Sequence, residues 1–299
     1  MHFSQLYCTL YSVLCNPPTS PMRPLALFCL ALLSLVARAA DAPLTYVGTE
    51  GPGKGKKVVL IANDHEYKSE EALPQLARIL AKHHGYTCTV LFGIDPKNGV
   101  IAQGNPSNIP GTEALKDADL LVIFTRFQAI PAEQMQPIID YLNRGGAVIG
   151  LRTATHGFRY PKDSPLYKYS FDYKGADYQG GFGRQILGET WVDHYGGYRS
   201  QSTLGIIPPD KKEHPILRGI GHLWGPGHAY AITTLSGDSQ PLVLGQPLAG
   251  KNPIDAPDPK KPPVPVAWTK TFTGTSGKSA RVFTTTMGAA SMPAGLGAP

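Results

Sequence analysis

Cysteine is scarce in this chain. There are 4 in 299 residues, and Cys8, Cys15 and Cys29 all precede residue 30. Beyond that point only Cys88 remains, so no internal disulfide can form there and the fold must rest on its own apolar core. Cys88 stands in Thr87-Cys88-Thr89-Val90, a strand-like stretch in which a thiol acts as a small apolar filler. Charge of one sign is also lacking: 28 basic residues face 22 acidic ones. Setting aside Arg23 and Arg38 leaves 26 against 22, a net of +4, spread along the chain rather than clustered. That excludes the basic footprint of a nucleic-acid binder. No apolar run reaches the roughly 20 residues that a lipid-spanning helix needs.

The longest apolar run, Leu25 to Val36, follows Met22-Arg23 and precedes Ala37-Arg38-Ala39. This order reads as a secretory signal cleaved after Ala39, with Met22 as the start and Met1 to Pro21 as an over-extended beginning. The expectation is an exported protein, periplasmic or secreted, with no membrane association after cleavage. Residues 40–56 are rich in Gly, Pro and Lys, lack periodicity, and read as a linker.

From Lys57 the pattern alternates. "KVVLIAN" (Lys57 to Asn63) is a continuous aliphatic run, the mark of a strand covered on both faces. Ser69 to His84 carries Leu73, Leu76, Ala77 and Leu80 at helical spacing and stops at Gly85, with Pro74 placing the regular start near itself. "TCTVLFG", "ADLLVIF" and "AVIGL" read as further strands. Pro131 to Asn143 reads as a helix that Pro137 kinks or shortens. Strands alternating with helices predict an α/β domain with a doubly wound, mostly parallel sheet.

Arg159 to Ser200 holds 7 of the 14 tyrosines and reads as a long surface excursion. Val264 to Phe272 and Ala280 to Thr286 flank "TGTSGKS" and predict a C-terminal antiparallel hairpin. Lys251 to Pro263, with Pro253, Pro257, Pro259, Pro262 and Pro263, reads as a loop.

Ligands of open parallel sheets bind beyond the carboxyl ends of the strands. The residues there are Asp64, His65 and Glu66 after the first strand, Arg126 after the third, and Arg152, Thr153 and His156 after the fourth. In the strand order 2-1-3-4 these loops are neighbours. Downstream, Glu189, Trp191, Asp193, His194 and Tyr195 form a second cluster, and His222 and His228 flank "LWGPG". Asp64 could cap the next helix, and Arg152 could be a structural cation paired with Glu66 or Asp64. His65, His156 and His194 are the candidates for proton transfer. Asp64, Glu66, Arg126, Arg152, Thr153, Trp191 and Tyr195 are the candidates for holding a ligand. Asp64, His65, Glu66 and His194 could gather a divalent metal, but no metal-ligand spacing supports one, so no metal or cofactor is expected.

"KKVVLIANDHEYKSEEALPQLARILAKHHGY", "GGAVIGLRTATHGF", "LGETWVDHYG", "HPILRGI" and "VAWTKTFTGTSGKSARVFTTTMG" together resemble the ThuA-like family, named for trehalose utilisation. The likeness spans nearly all of Lys56 to Gly288, with its motifs in order. The exported form with a tyrosine-rich insert resembles versions common in planctomycete-type bacteria. The resemblance implies a class I glutamine amidotransferase-like fold. It also implies a small-molecule carbohydrate partner, a sugar or keto-sugar. In the amidotransferase relatives a Cys nucleophile sits in a G-x-C-x-G turn. Here Gly150-Leu151-Arg152-Thr153-Ala154 puts an arginine at that position, and many ThuA-like proteins have a His there. Arginine stays protonated and cannot attack a carbonyl, so a Cys-triad glutaminase is excluded. The reactions left open are hydrolase, lyase and isomerase chemistry. A non-catalytic carbohydrate-binding or scaffolding module and a metal-dependent hydrolase are the alternatives. Relatives continue past "RVFTTTMGAA" into a closing helix, whereas "SMPAGLGAP" has no periodicity. The resemblance therefore implies an aberrant tail over residues 289–299, an uncovered sheet face and low stability.

Overall fold

The computed structural model describes residues 43–64, 66–102, 108–198 and 200–288. The expected signal, residues 40–42 of the expected linker, His65 and the expected aberrant tail lie outside the described residues. Twelve strands are described: β1 (Leu44–Val47), β2 (Lys57–Asn63), β3 (Thr87–Phe92), β4 (Leu120–Thr125), β5 (Ala147–Leu151), β6 (His194–Tyr195), β7 (Thr203–Ile206), β8 (Leu223–Gly225), β9 (Ala229–Tyr230), β10 (Gln240–Pro247), β11 (Val264–Thr273) and β12 (Ser279–Thr285). Two α-helices accompany them, α1 (Ser69–His84) and α2 (Ala132–Asn143).

One sheet holds ten strands in the order β1-β3-β2-β4-β5-β12-β11-β10-β7-β8. Its centre, β3-β2-β4-β5-β12, is parallel. The first four of those strands realise the 2-1-3-4 order, so the loops after β2, β4 and β5 are neighbours. The remaining pairings are antiparallel, including the β11–β12 hairpin read from the sequence. The fold is thus mixed α/β, and "mostly parallel" holds only for the centre.

β2 shows why its apolar run is continuous. Val58, Leu60 and Ala62 pack in one cluster with Leu73 and Ala77 of α1. Val59 and Ile61 point the other way, into a cluster with Met135 and Ile138 of α2. A strand covered on both faces has no polar side to show. Both prolines sit inside their helices without ending them, since α1 already runs from Ser69 and α2 continues to Asn143. Each is the sixth residue of its helix, so only one early backbone bond is lost.

Two expectations need correction. The linker contains β1, an edge strand antiparallel to β3, whose four residues are too few to show a period. The tyrosine-rich excursion is no surface flap: Tyr160, Tyr169, Phe182, Ile186 and Leu187 are buried in the same cluster as α2. Its irregular backbone hid a core contribution made of large aromatic side chains.

Cys88 is buried in β3, and burial pushes its thiol up to about 11. Alkylation of the native chain at pH 8 should therefore leave Cys88 unmodified in peptide mapping, with labelling only once denaturant opens the sheet. Rapid native labelling of Cys88 would show that β3 is not packed as described.

Candidate functional site

The non-glycine residues with positive φ among the described residues are Lys68 at 56°, Phe127 at 52° and Arg152 at 46°. They stand in the loops after β2, β4 and β5. Each such conformation costs about 1–3 kcal/mol and persists only where the surroundings enforce it. Strain concentrated at one rim of a sheet marks that rim as a candidate site.

Arg152 opens a 3-10 turn, Arg152–His156, directly after β5. Its side chain is 2% exposed. Nη1 donates to the backbone oxygens of His228 (3.0 Å) and Thr286, and Nη2 donates to the Tyr67 hydroxyl at 3.0 Å. The guanidinium lies 4.7 Å from the Tyr67 ring centre and 4.1 Å from that of Tyr230. Neither Glu66 nor Asp64 is its partner, and it faces no open space, so the ligand-anchor expectation for Arg152 gives way to that of a rivet. Thr153 is equally occupied: its hydroxyl donates to Asp64 Oδ2. Asp64 is fully buried and also accepts from the amides of Glu66 (2.8 Å) and Tyr67 (3.3 Å). Burial raises its carboxyl pKa, against the pull of those three donors. Asp64 thus fixes the turn after β2 rather than capping α1 or meeting a ligand.

His156 is 3% exposed in an aromatic nest. Its ring centre lies 5.0 Å from Phe127, 4.9 Å from Trp191, 5.7 Å from Tyr230 and 6.3 Å from Phe171. Burial first, then the charges of Arg126 and Arg152, hold it well below the usual histidine range. A desolvated imidazole held toward its neutral form is a floor for the nest rather than a proton carrier.

The accessible histidine is His194, on β6. Its Nδ1 meets Nε2 of His228 at 2.7 Å, with the rings nearly perpendicular. Trp191 and Tyr198 lie 5.6 and 5.7 Å from it. Sequence reasoning did not single out His228 for the site. Burial, Arg152 and His194 push it down to about 3, so it is neutral. Arg152 holds its backbone, and its ring holds His194. At the mouth, Glu66 pairs with Arg126 Nε at 3.2 Å and accepts from the Tyr198 hydroxyl at 3.1 Å. The expectation for Tyr195 is corrected. It follows His194 on a strand, so it points to the opposite side, packs beside β10 and β11, and donates to the carbonyl of Pro262. Among the described residues no group of three or more His, Cys, Asp or Glu is placed to hold a metal ion.

A groove of about 600 Å³ also lies over β5, β11 and β12, lined in part by Ile149, His214 and Phe283, and shares no residue with this cluster. It lacks buried titratable groups of the kind gathered at the strand ends, which remain the better candidate site.

These features define an α/β protein with a strained, aromatic-lined site at the carboxyl ends of its parallel strands. No protein-family model and no curated protein matches the chain. Among solved structures, a protein designated ThuA-like from Bacteroides uniformis ATCC 8492 is similar at 12% identity, over 81% of this chain and 86% of that one, with a TM-score of 0.46. A second so designated, from Parabacteroides merdae ATCC 43184, is similar at 14% identity, over 78% and 79%, with a TM-score of 0.43. The exo-beta-1,4-mannosidase Op5Man5 from Opitutaceae bacterium strain TAV5 is similar at 11% identity over 87% of this chain but 34% of its own, with a TM-score of 0.33. Likenesses this distant decide neither site nor activity.

Two outcomes follow from the geometry. Arg152→Met leaves two carbonyls and a hydroxyl without their donor, each at a cost of about 1–3 kcal/mol. Its urea midpoint should drop far below that of the exposed control Arg281→Met, and equal midpoints would refute the rivet. His228 has a folded pKa of about 3 against 6.5 unfolded, so its contribution is full above pH 6.5 and is lost as pH falls toward 3. Between pH 7 and 5 the wild-type melting temperature should fall more steeply than that of His228→Gln; parallel curves would refute a buried neutral His228.

Proposed function

We propose that this chain binds a sugar or keto-sugar at the strand-end site and that His194, backed by His228, moves a proton on it. The observation that carries the reading is the placing of the rings of Phe127, Trp191, His194 and Tyr198 around the Glu66–Arg126 pair. Aromatic faces stack on the apolar face of a sugar ring, while a carboxylate and a guanidinium satisfy its hydroxyls. Trp191 also has a buried indole N–H with no partner among the described residues, a donor suited to a ligand oxygen. The motif-level resemblance to the ThuA-like family supports a role in carbohydrate utilisation, with trehalose utilisation as the coarse setting. Export and cleavage after Ala39 belong to the same proposal.

In this reading Glu66 and Arg126 orient the ligand, and Trp191 and Tyr198 cover it. His194 is the proton carrier because its ring is the one that reaches the mouth. His65, beside Glu66 in sequence, is a further candidate for proton transfer. The absence of a nucleophile at the elbow leaves proton abstraction beside a carbonyl, or isomerisation, as the chemistry within reach. A non-catalytic carbohydrate-binding module is the second reading, favoured by the desolvation of His156 and the occupation of Arg152.

The test is a panel of disaccharides and their keto derivatives, titrated calorimetrically and assayed for product. Trp191→Ala should abolish binding. His194→Gln should keep binding but lower turnover by about 10²-fold or more, the contribution typical of a general acid–base. Unchanged turnover in His194→Gln would remove the chemical assignment. Binding with no turnover across the panel would establish the second reading.

A further inference from the structure

A second built cavity lies between the tyrosine-rich excursion and residues 231–234, and we propose that it binds a small molecule carrying a carboxylate or phosphate group. This cavity has a volume of about 260 Å³ and is lined in part by Phe171, Tyr173, Lys174, Arg184, Glu189 and Thr190. It is smaller than the pockets that hold drug-sized ligands, so it suits a single ring or a bare oxyanion.

Its backbone is unusual. Arg184 sits on a π-helical turn, Gly183–Leu187, a conformation that is rare and concentrated at functional sites. Gly180, with φ +76°, lines the cavity, and a Cβ there would lie 2.6 Å from Arg184 Cβ. Glycine at 180 is therefore what lets Arg184 lie in the cavity wall.

The charges are unbalanced in one direction. Glu189 has both carboxylate oxygens engaged inside the protein. Oε1 accepts from the Thr190 amide at 2.8 Å, and Oε2 accepts from Arg184 Nη1 at 3.1 Å. Its side chain is 10% exposed, against 40% for Arg184. Arg184 offers five donors, and among the described residues only Nη1 has a partner. The Lys174 ammonium has none among them. Lys270, itself 3.6 Å from Asp238, adds its positive field near Glu189. The only carboxylate lining the cavity is spent, so the charge left to meet a ligand is positive. What remains is a guanidinium fork and an ammonium beside two aromatic walls, which matches an oxyanion attached to a small body.

This site stands whether or not the aromatic nest binds a sugar, although Phe171 is a wall of both. Its ring lies 5.2 Å from Phe127 and 6.0 Å from Trp191.

The experiment titrates the full chain with inorganic phosphate, glucuronate and, as a neutral control, glucose, followed by calorimetry. Both anions should bind and glucose should not. Lys174→Gln should weaken anion binding by about five- to tenfold, as one charge-assisted contact is lost. Glu189→Gln keeps the acceptor for Thr190 but removes the opposing charge, so it should tighten anion binding several-fold, a direction that misfolding cannot imitate. Trp191→Ala should leave anion affinity unchanged, which separates this site from the sugar reading. Binding of phosphate alone would identify a phosphate source, and of glucuronate alone a carboxylate source. No heat with either anion, equal binding of glucose, or affinities indifferent to both Lys174→Gln and Glu189→Gln would overturn the proposal.

Discussion

A guanidinium held inside the protein between two tyrosine rings is the constraint on which the strand-end site depends. A buried charge is costly unless it is hydrogen-bonded, and both terminal nitrogens of Arg152 are engaged, with backbone oxygens and a phenol rather than with a carboxylate. Those partners come from three places in the chain: the loop after β2, β9 with the residue before it, and the residue that follows β12. Because arginine does not titrate in any ordinary range, the tie holds at every pH at which the sheet does. The left-handed conformation of Arg152 is the local cost of aiming the side chain inward.

That inward cation also sorts the histidines. Its field and their burial keep His156 and His228 neutral. Of these three rings, His194 alone lies at the open end, where a proton can exchange with solvent or ligand. Glu66 and Arg126, which might have served as ties had Arg152 paired with a carboxylate, are instead engaged with each other at the mouth. The polar residues of the rim therefore fall into an inner layer that fixes backbone and an outer layer at the mouth. Asp64, Thr153, Arg152 and His228 belong to the first; Glu66, Arg126, Trp191, His194 and Tyr198 belong to the second.

Much of this was legible in the sequence, for identifiable reasons. Continuous apolar runs such as Val58 to Ala62 announced strands covered on both sides, and their alternation with helices announced a parallel sheet, for which 2-1-3-4 is the usual order. What escaped was whatever depends on distant partners or on short elements. The oxygens that hold Arg152 lie 76 and 134 residues away, and no local pattern encodes them. Tyr195 and His194 are neighbours in sequence, yet a two-residue strand sends them to opposite sides. β1 is too short for a period, and the π-helical turn that carries Arg184 has no sequence signature beyond its glycines. His228 had one usable signal, its place just after the Gly225-Pro226-Gly227 turn, where backbone geometry is tightly set.

A fixed cation at the turn after β5 limits what this rim can do. The turn is tight, with a left-handed residue directly after β5. The side chain of that residue turns back into the protein and offers no nucleophilic atom. Covalent acyl chemistry needs that atom, so it is closed to this turn. Proton transfer needs only an imidazole that reaches the ligand and a partner that fixes its orientation. At the rim, His228 fixes the orientation of the exposed His194 ring, one residue removed from the cation that anchors it. The strained turn after β5 thus maintains the wall on which the mouth is built and leaves His194 as the imidazole at its open end.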